Sequence, residues 1–142
     1  MERIGRIIHH LAILNRNDSN QRLKEHGLTS NEGSVLMFLS RHSKVYQEEL
    51  IKELQIDKSA VTRLLQNMEN KGLIKRIQSP VDKRFYLLEM TALGQEKQQI
   101  VDQTFAKKDF ILVSGLSEKE QEELRRMLDV IQTNLKGGKI NE

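Results

Sequence analysis

One amphipathic helix, whose polar face carries no acid, constrains this chain more than any other feature. The stretch QIDKSAVTRLLQNMENKGLI, residues 55–74, has Asp57 as a natural N-cap and Gly72 as a natural terminator. Between them four apolar residues recur at helical spacing, so one face packs inward: Val61, Leu64, Leu65 and Met68. The opposite face shows basic and hydrogen-bonding side chains: Lys58, Ser59, Thr62, Arg63, Gln66 and Asn70. The pattern predicts a helix that rests on a core and offers donors to a partner.

The segments on either side of this helix predict a winged helix-turn-helix. YQEELIKEL precedes it as a short helix that ends near Leu54, and the step 55–57 separates the two helices. We expect Gln55 to close that step without a left-handed residue. KRIQSPVDKRFYLLEMT, residues 75–91, follows as two strand-like arms around Pro80, the only proline of the chain. In a winged helix the second helix enters the major groove of DNA and the hairpin reaches beside it.

Four more helices are predicted outside this motif. Their bounds follow from apolar periodicity and from capping residues. The first helix runs from residue 4 to Gly27, and the third starts at Thr91. The second and fourth each start at a capping box, formed by Thr29 and Glu32 and by Ser117 and Glu120. The fold class is therefore mainly α with a small β-hairpin wing.

The net positive charge of the chain comes from one stretch. The net charge is only +3, but residues 58–84 hold seven Lys or Arg and two acids, which gives +5 there and leaves −2 for the remainder. A basic segment in an otherwise slightly acidic chain is typical of a phosphate-binding surface. The length of 142 residues fits one domain. No apolar run approaches the ~20 residues that span a bilayer, so we expect a cytoplasmic protein without a membrane partner.

Several classes of function are disfavoured by what the chain lacks. The absence of cysteine excludes disulfides, thiolate metal sites and thiol-based sensing. The four histidines lack tight ligand spacing, and neighbouring His9 and His10 point about 100° apart on a helix, so surface histidines are favoured over a metal site. No Ser/His/Asp arrangement, glycine-rich phosphate loop or metal-binding helix is present. We therefore expect no metal, no cofactor and no enzymatic activity.

Three blocks of the chain resemble the MarR family of bacterial transcriptional regulators. They are Leu28-Thr29, the stretch DKSAVTRLLQNMENKGLIKR at 57–76, and DKRFYLLEMTALG at 82–94. The wing signature of the family is D-x-R, five residues, L-T, two residues and G. Here it consists of Asp82, Arg84, Met90-Thr91 and Gly94, with Met in place of Leu. Two further departures lie in the helix-turn-helix, where Ile51 replaces a usual Ala and Gln55 a frequent Gly.

The resemblance implies a homodimer that binds a pseudo-palindromic operator, and a repressor is the expected form of regulation. Residues 1–27 would form an N-terminal dimerisation helix, 28–91 the winged helix-turn-helix, and 92–142 the C-terminal dimerisation helices of one intertwined domain. Apolar stripes on the first and last two helices agree, because they exceed what so small a domain buries alone. The alternative is a winged-helix protein–protein interaction module without specific DNA binding. That module would expose apolar residues where this chain is basic.

The expected DNA contacts come from the helix and the wing. Base edges are within the reach of Ser59, Thr62, Arg63 and Gln66, whereas Lys58 and Lys83 are expected at phosphates. Arg84 resembles the minor-groove arginine of the family, where a narrow A·T-rich groove concentrates negative potential. Asp82 is expected to brace the wing by pairing with an arginine, for which Arg84, Arg63 and Arg76 are the candidates. The bland alternative is a charged hairpin tip that keeps an edge strand soluble.

The resemblance also suggests an effector site. Family members often bind small phenolic or lipophilic anionic molecules between the dimer helices and the winged helix. The candidate lining residues are Leu11, Asn15, Met37, Phe38, Arg41 and Tyr46. Met and Phe at helical spacing are more often plain core, so the two readings stay open.

Overall fold

The computed structural model describes residues 1–137. The elements in chain order are α1 (Ile4–Leu23), a 3₁₀ turn (Lys24–His26), α2 (Ser30–Arg41), β1 (Val45–Tyr46), α3 (Gln47–Leu54), α4 (Lys58–Asn70), β2 (Ile74–Gln78), β3 (Tyr86–Met90), α5 (Ala92–Leu112) and α6 (Glu118–Gly137). The chain divides into two compact units, Met1–Phe105 and Ala106–Glu142. Within the described range, no helix is long and apolar enough to cross a membrane. The mainly α fold with a wing is as predicted.

The core of the first unit is almost entirely aliphatic. The inward face of α4 is buried as predicted, through Val61, Leu65 and Met68, while Leu64 packs half-buried against them. These side chains meet the apolar face of α2 and the base of the sheet: Val35, Leu36, Leu39, Leu73, Ile74 and Leu88. Each fully buried Leu, Val or Met contributes about 1.5–3 kcal/mol relative to exposure. Burial therefore fixes which face of α4 is left for solvent.

The wing is part of a three-stranded antiparallel sheet rather than a two-stranded hairpin. The strand order is β1-β3-β2, with Val45 opposite Leu88 and Arg76 opposite Leu88 on the other side. A two-residue strand such as β1 has no alternation long enough to be recognised in a sequence. Because β1 leads directly into α3, it ties the wing to the start of the helix-turn-helix.

The predicted helix caps are confirmed. Thr29 and Glu32 form a reciprocal capping box at α2, and Ser117 and Glu120 do the same at α6. Asp57 accepts from the Ala60 N–H at the start of α4. These bonds satisfy amide groups that a helix leaves free at its N-terminus.

The expectation for Gln55 is wrong. Gln55 ends α3 in the left-handed region, at φ 56° and ψ 33°. Its N–H donates to the Ile51 carbonyl at 3.2 Å, and its side-chain Nε2 donates to the Lys52 carbonyl at 2.7 Å. The tight step to α4 needs this backbone conformation, and the side chain stabilises it by satisfying a carbonyl at the helix end. A residue with a Cβ thus occupies a position where glycine is ordinarily preferred.

The second unit leaves a row of apolar side chains in solvent. On the part described, residues 106–137, α6 has no buried residue. The large exposed apolar side chains are Phe110, Ile111, Leu112, Leu116, Met127, Leu128, Val130 and Leu135. In the first unit, α1 likewise exposes Ile4, Ile7, Leu11 and Leu14. Each unit by itself therefore carries apolar surface that its own core does not cover.

Candidate nucleic-acid interface

The solvent face of α4 carries the polar residues predicted for it. Lys58, Ser59, Arg63 and Gln66 are exposed, and Thr62 is half-buried. None of the large apolar side chains within Lys58–Asn70 is exposed. At the start of the helix, Ser59 Oγ donates to Asp57 Oδ1 at 2.6 Å. This bond, together with the Ala60 N–H, lowers the pKa of Asp57 below its ordinary value. Both hydrogen bonds therefore favour the ionised form of the N-cap carboxylate.

In the wing, Asp82 pairs with Arg84 rather than with Arg63 or Arg76. Arg84 Nη2 donates to Asp82 Oδ2 at 2.7 Å, and Arg84 Nε donates to Oδ1 at 3.0 Å. The Arg84 backbone N–H also donates to Oδ1 at 3.0 Å. The side-chain bonds to Arg84 come first among the causes that lower the pKa of Asp82, and the carboxylate in turn raises the pKa of Arg84.

This pairing leaves part of the Arg84 guanidinium available. The side chain is 82% exposed, and the bidentate contact uses the Nε–Nη2 edge. Among residues 1–137, these contacts with Asp82 leave two N–H groups on Nη1 and one on Nη2 for another acceptor. The guanidinium also lies 5.7 Å from the centre of the Phe85 ring. An arginine held on one edge by a carboxylate and open on the other can present a fixed donor to an anion such as DNA.

The wing loop is itself held by a buried hydroxyl. Ser79 Oγ accepts from the backbone N–H groups of Val81 and Asp82, at 3.2 and 3.3 Å. It also shares a hydrogen bond of 3.2 Å with the Tyr46 hydroxyl. The Ser79 N–H donates to the Phe85 carbonyl at 2.9 Å and closes the loop. The loop that positions Asp82, and through it Arg84, is therefore anchored to β1.

Two cations of the basic stretch are already engaged by other residues of the protein. Lys71 Nζ donates to both carboxylate oxygens of Glu32 at 2.9 Å and to the Gly27 carbonyl at 3.0 Å. Arg76 Nη2 donates to Gln47 Oε1 at 3.2 Å, and its guanidinium lies 4.5 Å from the centre of the Tyr86 ring. Neither residue offers its charge freely to a phosphate. Fewer cations are therefore available to bind phosphate than the seven Lys and Arg residues of the stretch 58–84.

The candidate effector residues have mixed surroundings. Met37 and Phe38 pack against the core, and Leu11 is exposed on α1. Arg41 Nε donates to the Met37 carbonyl at 3.4 Å, and Tyr46 is bonded to Ser79. Asn15 lies exposed on α1. The effector site stays a prediction.

The inward role of Arg76 was not predicted, although the sequence carries a signal for it. Residues two apart on a strand share a face, so Arg76 follows the buried Ile74 to the core side of the sheet. The partners Gln47 and Tyr86 are 29 and 10 positions away in the chain (76 − 47 and 86 − 76), and no local pattern connects them. Lys71 had no comparable signal, because its partner Glu32 was explained fully by the capping box.

Comparison with known proteins agrees with this architecture. A MarR-family model matches residues 26–84. The HTH-type transcriptional regulator MgrA of Staphylococcus aureus is 33% identical over 117 residues, which cover 81% of this chain and 77% of MgrA. YdgJ of Bacillus subtilis, described as an uncharacterized HTH-type transcriptional regulator, is 30% identical over 105 residues. That alignment covers 74% of this chain but 62% of YdgJ, which is less than two thirds of its length.

A solved structure extends the comparison to nearly the whole chain. A MarR-family transcriptional regulator from Listeria monocytogenes, complexed with 26mer DNA, matches with a TM-score of 0.86 and 27% identity. The match covers 95% of this chain and 90% of that one. The fold and the wing define a winged-helix protein of the transcriptional-regulator class. Within that class, the chain belongs to the MarR family.

Proposed function

We propose that this protein is a sequence-specific DNA-binding transcriptional regulator that binds a pseudo-palindromic operator as a homodimer. The observation that carries the proposal is the solvent face of α4, which exposes Lys58, Arg63 and Gln66 and no large apolar side chain. This face is long enough to lie in the major groove, which admits one α-helix. The Listeria relative, complexed with DNA, supports the same reading.

In this proposal the contacts divide between the two elements. Arg63 and Gln66 read base edges from α4, with Lys58 at a phosphate near the helix start. Ser59 and Thr62 lie on the same face. Arg84 enters the minor groove with its free donors, and Lys83 binds the backbone beside it. Asp82 braces Arg84 and is not itself a DNA contact, because a carboxylate would repel phosphate.

A homodimer accounts for the apolar side chains that each unit leaves in solvent. Ile7, Leu11 and Leu14 on α1 and Leu128 and Leu135 on α6 would be covered by a second copy. A two-fold dimer reads two half-sites about one helical turn apart, ~34–36 Å. Bound across a promoter, such a dimer occludes polymerase. We therefore infer repression, in the cytoplasm, by a regulator without enzymatic activity.

Selection of duplexes from a random-sequence library with the purified full chain tests this function. We expect an inverted repeat to be enriched. We also expect fluorescence anisotropy to show tight binding to that repeat, weaker binding to a shuffled duplex, and a linear fall of log K with log salt concentration. Equal, weak binding to all duplexes would instead favour the protein–protein interaction module.

A further inference from the structure

A chain of hydrogen bonds runs from the wing to the DNA-facing side of α4. Arg76 on β2 donates to Gln47 Oε1 at 3.2 Å, and Gln47 Nε2 donates to Thr62 Oγ1 at the longer distance of 3.4 Å. Thr62 Oγ1 in turn donates to the Lys58 carbonyl at 2.9 Å. Gln47 is 8% exposed and stands at the start of α3. Three elements of the winged helix are thus linked by one side-chain relay, Arg76–Gln47–Thr62.

The direction of every bond in this relay is fixed by chemistry. Arginine carries donors only, so the Gln47 carbonyl oxygen must face Arg76 and its amide group must face Thr62. The Thr62 oxygen therefore accepts from Gln47, and its single proton goes to the Lys58 carbonyl. An opposite orientation of the Gln47 amide would place donor against donor at Arg76.

Thr62 consequently has little polar capacity left for a base. Its one proton and one of its two lone pairs are used inside the protein. One lone pair and the methyl group of the side chain stay available. Apolar contact of a threonine methyl with the C5-methyl of thymine is an established form of major-groove recognition.

We propose that Thr62 recognises a thymine methyl group and that Arg76 and Gln47 are positioning residues that turn its hydroxyl inward. The inference rests on the proposed DNA binding and deepens it. It also gives a role to Arg76, which belongs to the basic stretch 58–84. The guanidinium stacks on Tyr86, and its Nε is buried without a hydrogen-bond partner among residues 1–137. Such a group faces the protein and not the DNA backbone.

Removal of single thymine methyl groups tests the role of Thr62. Each thymine of a selected duplex is replaced in turn by deoxyuridine, and affinity is measured by anisotropy. The unaltered protein should lose about fourfold at one thymine of each half-site, the worth of one buried methyl group. Thr62→Ser keeps the hydroxyl relay but has no methyl, so its affinity should be the same for thymine and deoxyuridine there. An unaltered protein indifferent to every substitution, or a serine variant that keeps the fourfold loss, would overturn the assignment.

The salt dependence of binding tests the role of Arg76. Arg76→Met should reduce the deoxyuridine effect to less than twofold while the slope of log K against log salt stays unchanged, because no phosphate contact is lost. Gln47→Met should behave alike and serves where Arg76→Met does not fold. Lys83→Met is the matched comparison. The magnitude of its slope of log K against log salt should decrease by about 0.9 for each copy of the chain in the complex. A similar fall for Arg76→Met, with the fourfold effect intact, would make Arg76 a phosphate contact and refute the relay.

The experiments distinguish a failure of the proposed DNA binding from a failure of the role assigned to Thr62. If the unaltered chain enriches no sequence from the random library, the proposed function itself is wrong. If it enriches an operator whose thymine methyl groups do not matter, DNA binding stands and only the role of Thr62 is wrong.

Discussion

Substitution of Gly94 by alanine should destabilise the protein, because the start of α5 packs directly against backbone. A Cβ at position 94 would overlap the Leu73 carbonyl oxygen and lie 3.1 Å from the Leu73 carbonyl carbon and 3.4 Å from Met90 Cβ. The same carbonyl accepts the Thr91 N–H at 3.1 Å. Because the obstructing atoms are main chain, no rotamer change relieves the overlap. The two segments must separate by roughly 1 Å to restore ordinary contact.

The expected loss is about 3 kcal/mol. Overpacking against backbone costs ~3 kcal/mol, the upper end of the usual range, and the weakened Thr91–Leu73 bond costs ~1 kcal/mol. The higher helix propensity of alanine offsets ~1 kcal/mol of this loss. For a chain of this length, the melting temperature should fall by about 6–12 °C. Since β2 starts one residue after Leu73, the displacement also shifts the base of the wing.

Thermal unfolding followed by circular dichroism measures this effect, at one protein concentration for all variants because association shifts the midpoint. Gly5→Ala is the matched control. Gly5 lies on α1, and a Cβ at this position meets no atom within 4 Å. Its midpoint should be unchanged or slightly raised. A Gly94→Ala midpoint within 2 °C of the unaltered protein, or about the same as that of Gly5→Ala, would refute the packing argument.

Three further substitutions test other parts of the structure. Lys71→Met should lower the free energy of unfolding, measured by urea denaturation, by about 2 kcal/mol. The substitution leaves the carboxylate of Glu32, which is 3% exposed, without its cationic partner. No loss would show that the pair contributes nothing. Gln55→Gly should raise the unfolding free energy by about 0.5–1 kcal/mol, since glycine adopts φ 56° without strain; a fall would mean that the side-chain bond outweighs it. Asp82→Asn should weaken operator binding severalfold by anisotropy while Arg84 is still present. Because the folded pKa of Asp82 is lowered, its brace is complete above the ordinary carboxyl value of about 3.9 and is lost only below it. The deficit of Asp82→Asn should accordingly be the same at pH 6 and pH 8, and a deficit that changes between them would contradict the sign of the shift.

The helices and the inward face of α4 were predictable because their signals are local. Apolar spacing and the capping residues Asp57, Thr29 and Ser117 act within one or two turns of helix. The wing was predictable from its two arms and from the pattern around Asp82, whereas β1 was not, because two residues show no alternation.

The parts that sequence could not supply depend on residues distant in the chain. Lys71 and Arg76 were counted as free surface charge, yet Lys71 pairs with Glu32 and Arg76 donates to Gln47. Gln55 was misjudged because the left-handed conformation is imposed by the tight step between α3 and α4, and not by the preference of glutamine. Side-chain packing across elements decides such cases, and local propensity does not.

Operator binding by Arg84→Ala tests the proposed DNA-binding surface most directly. The affinity for the selected duplex is measured by fluorescence anisotropy, beside that of Arg126→Ala, which removes an exposed arginine on α6. Circular dichroism confirms that both variants fold. We predict a loss of at least tenfold for Arg84→Ala, the worth of one specific arginine contact, and at most twofold for Arg126→Ala. An Arg84→Ala protein that is folded and binds the operator as tightly as the unaltered chain would contradict the assignment of the wing to DNA.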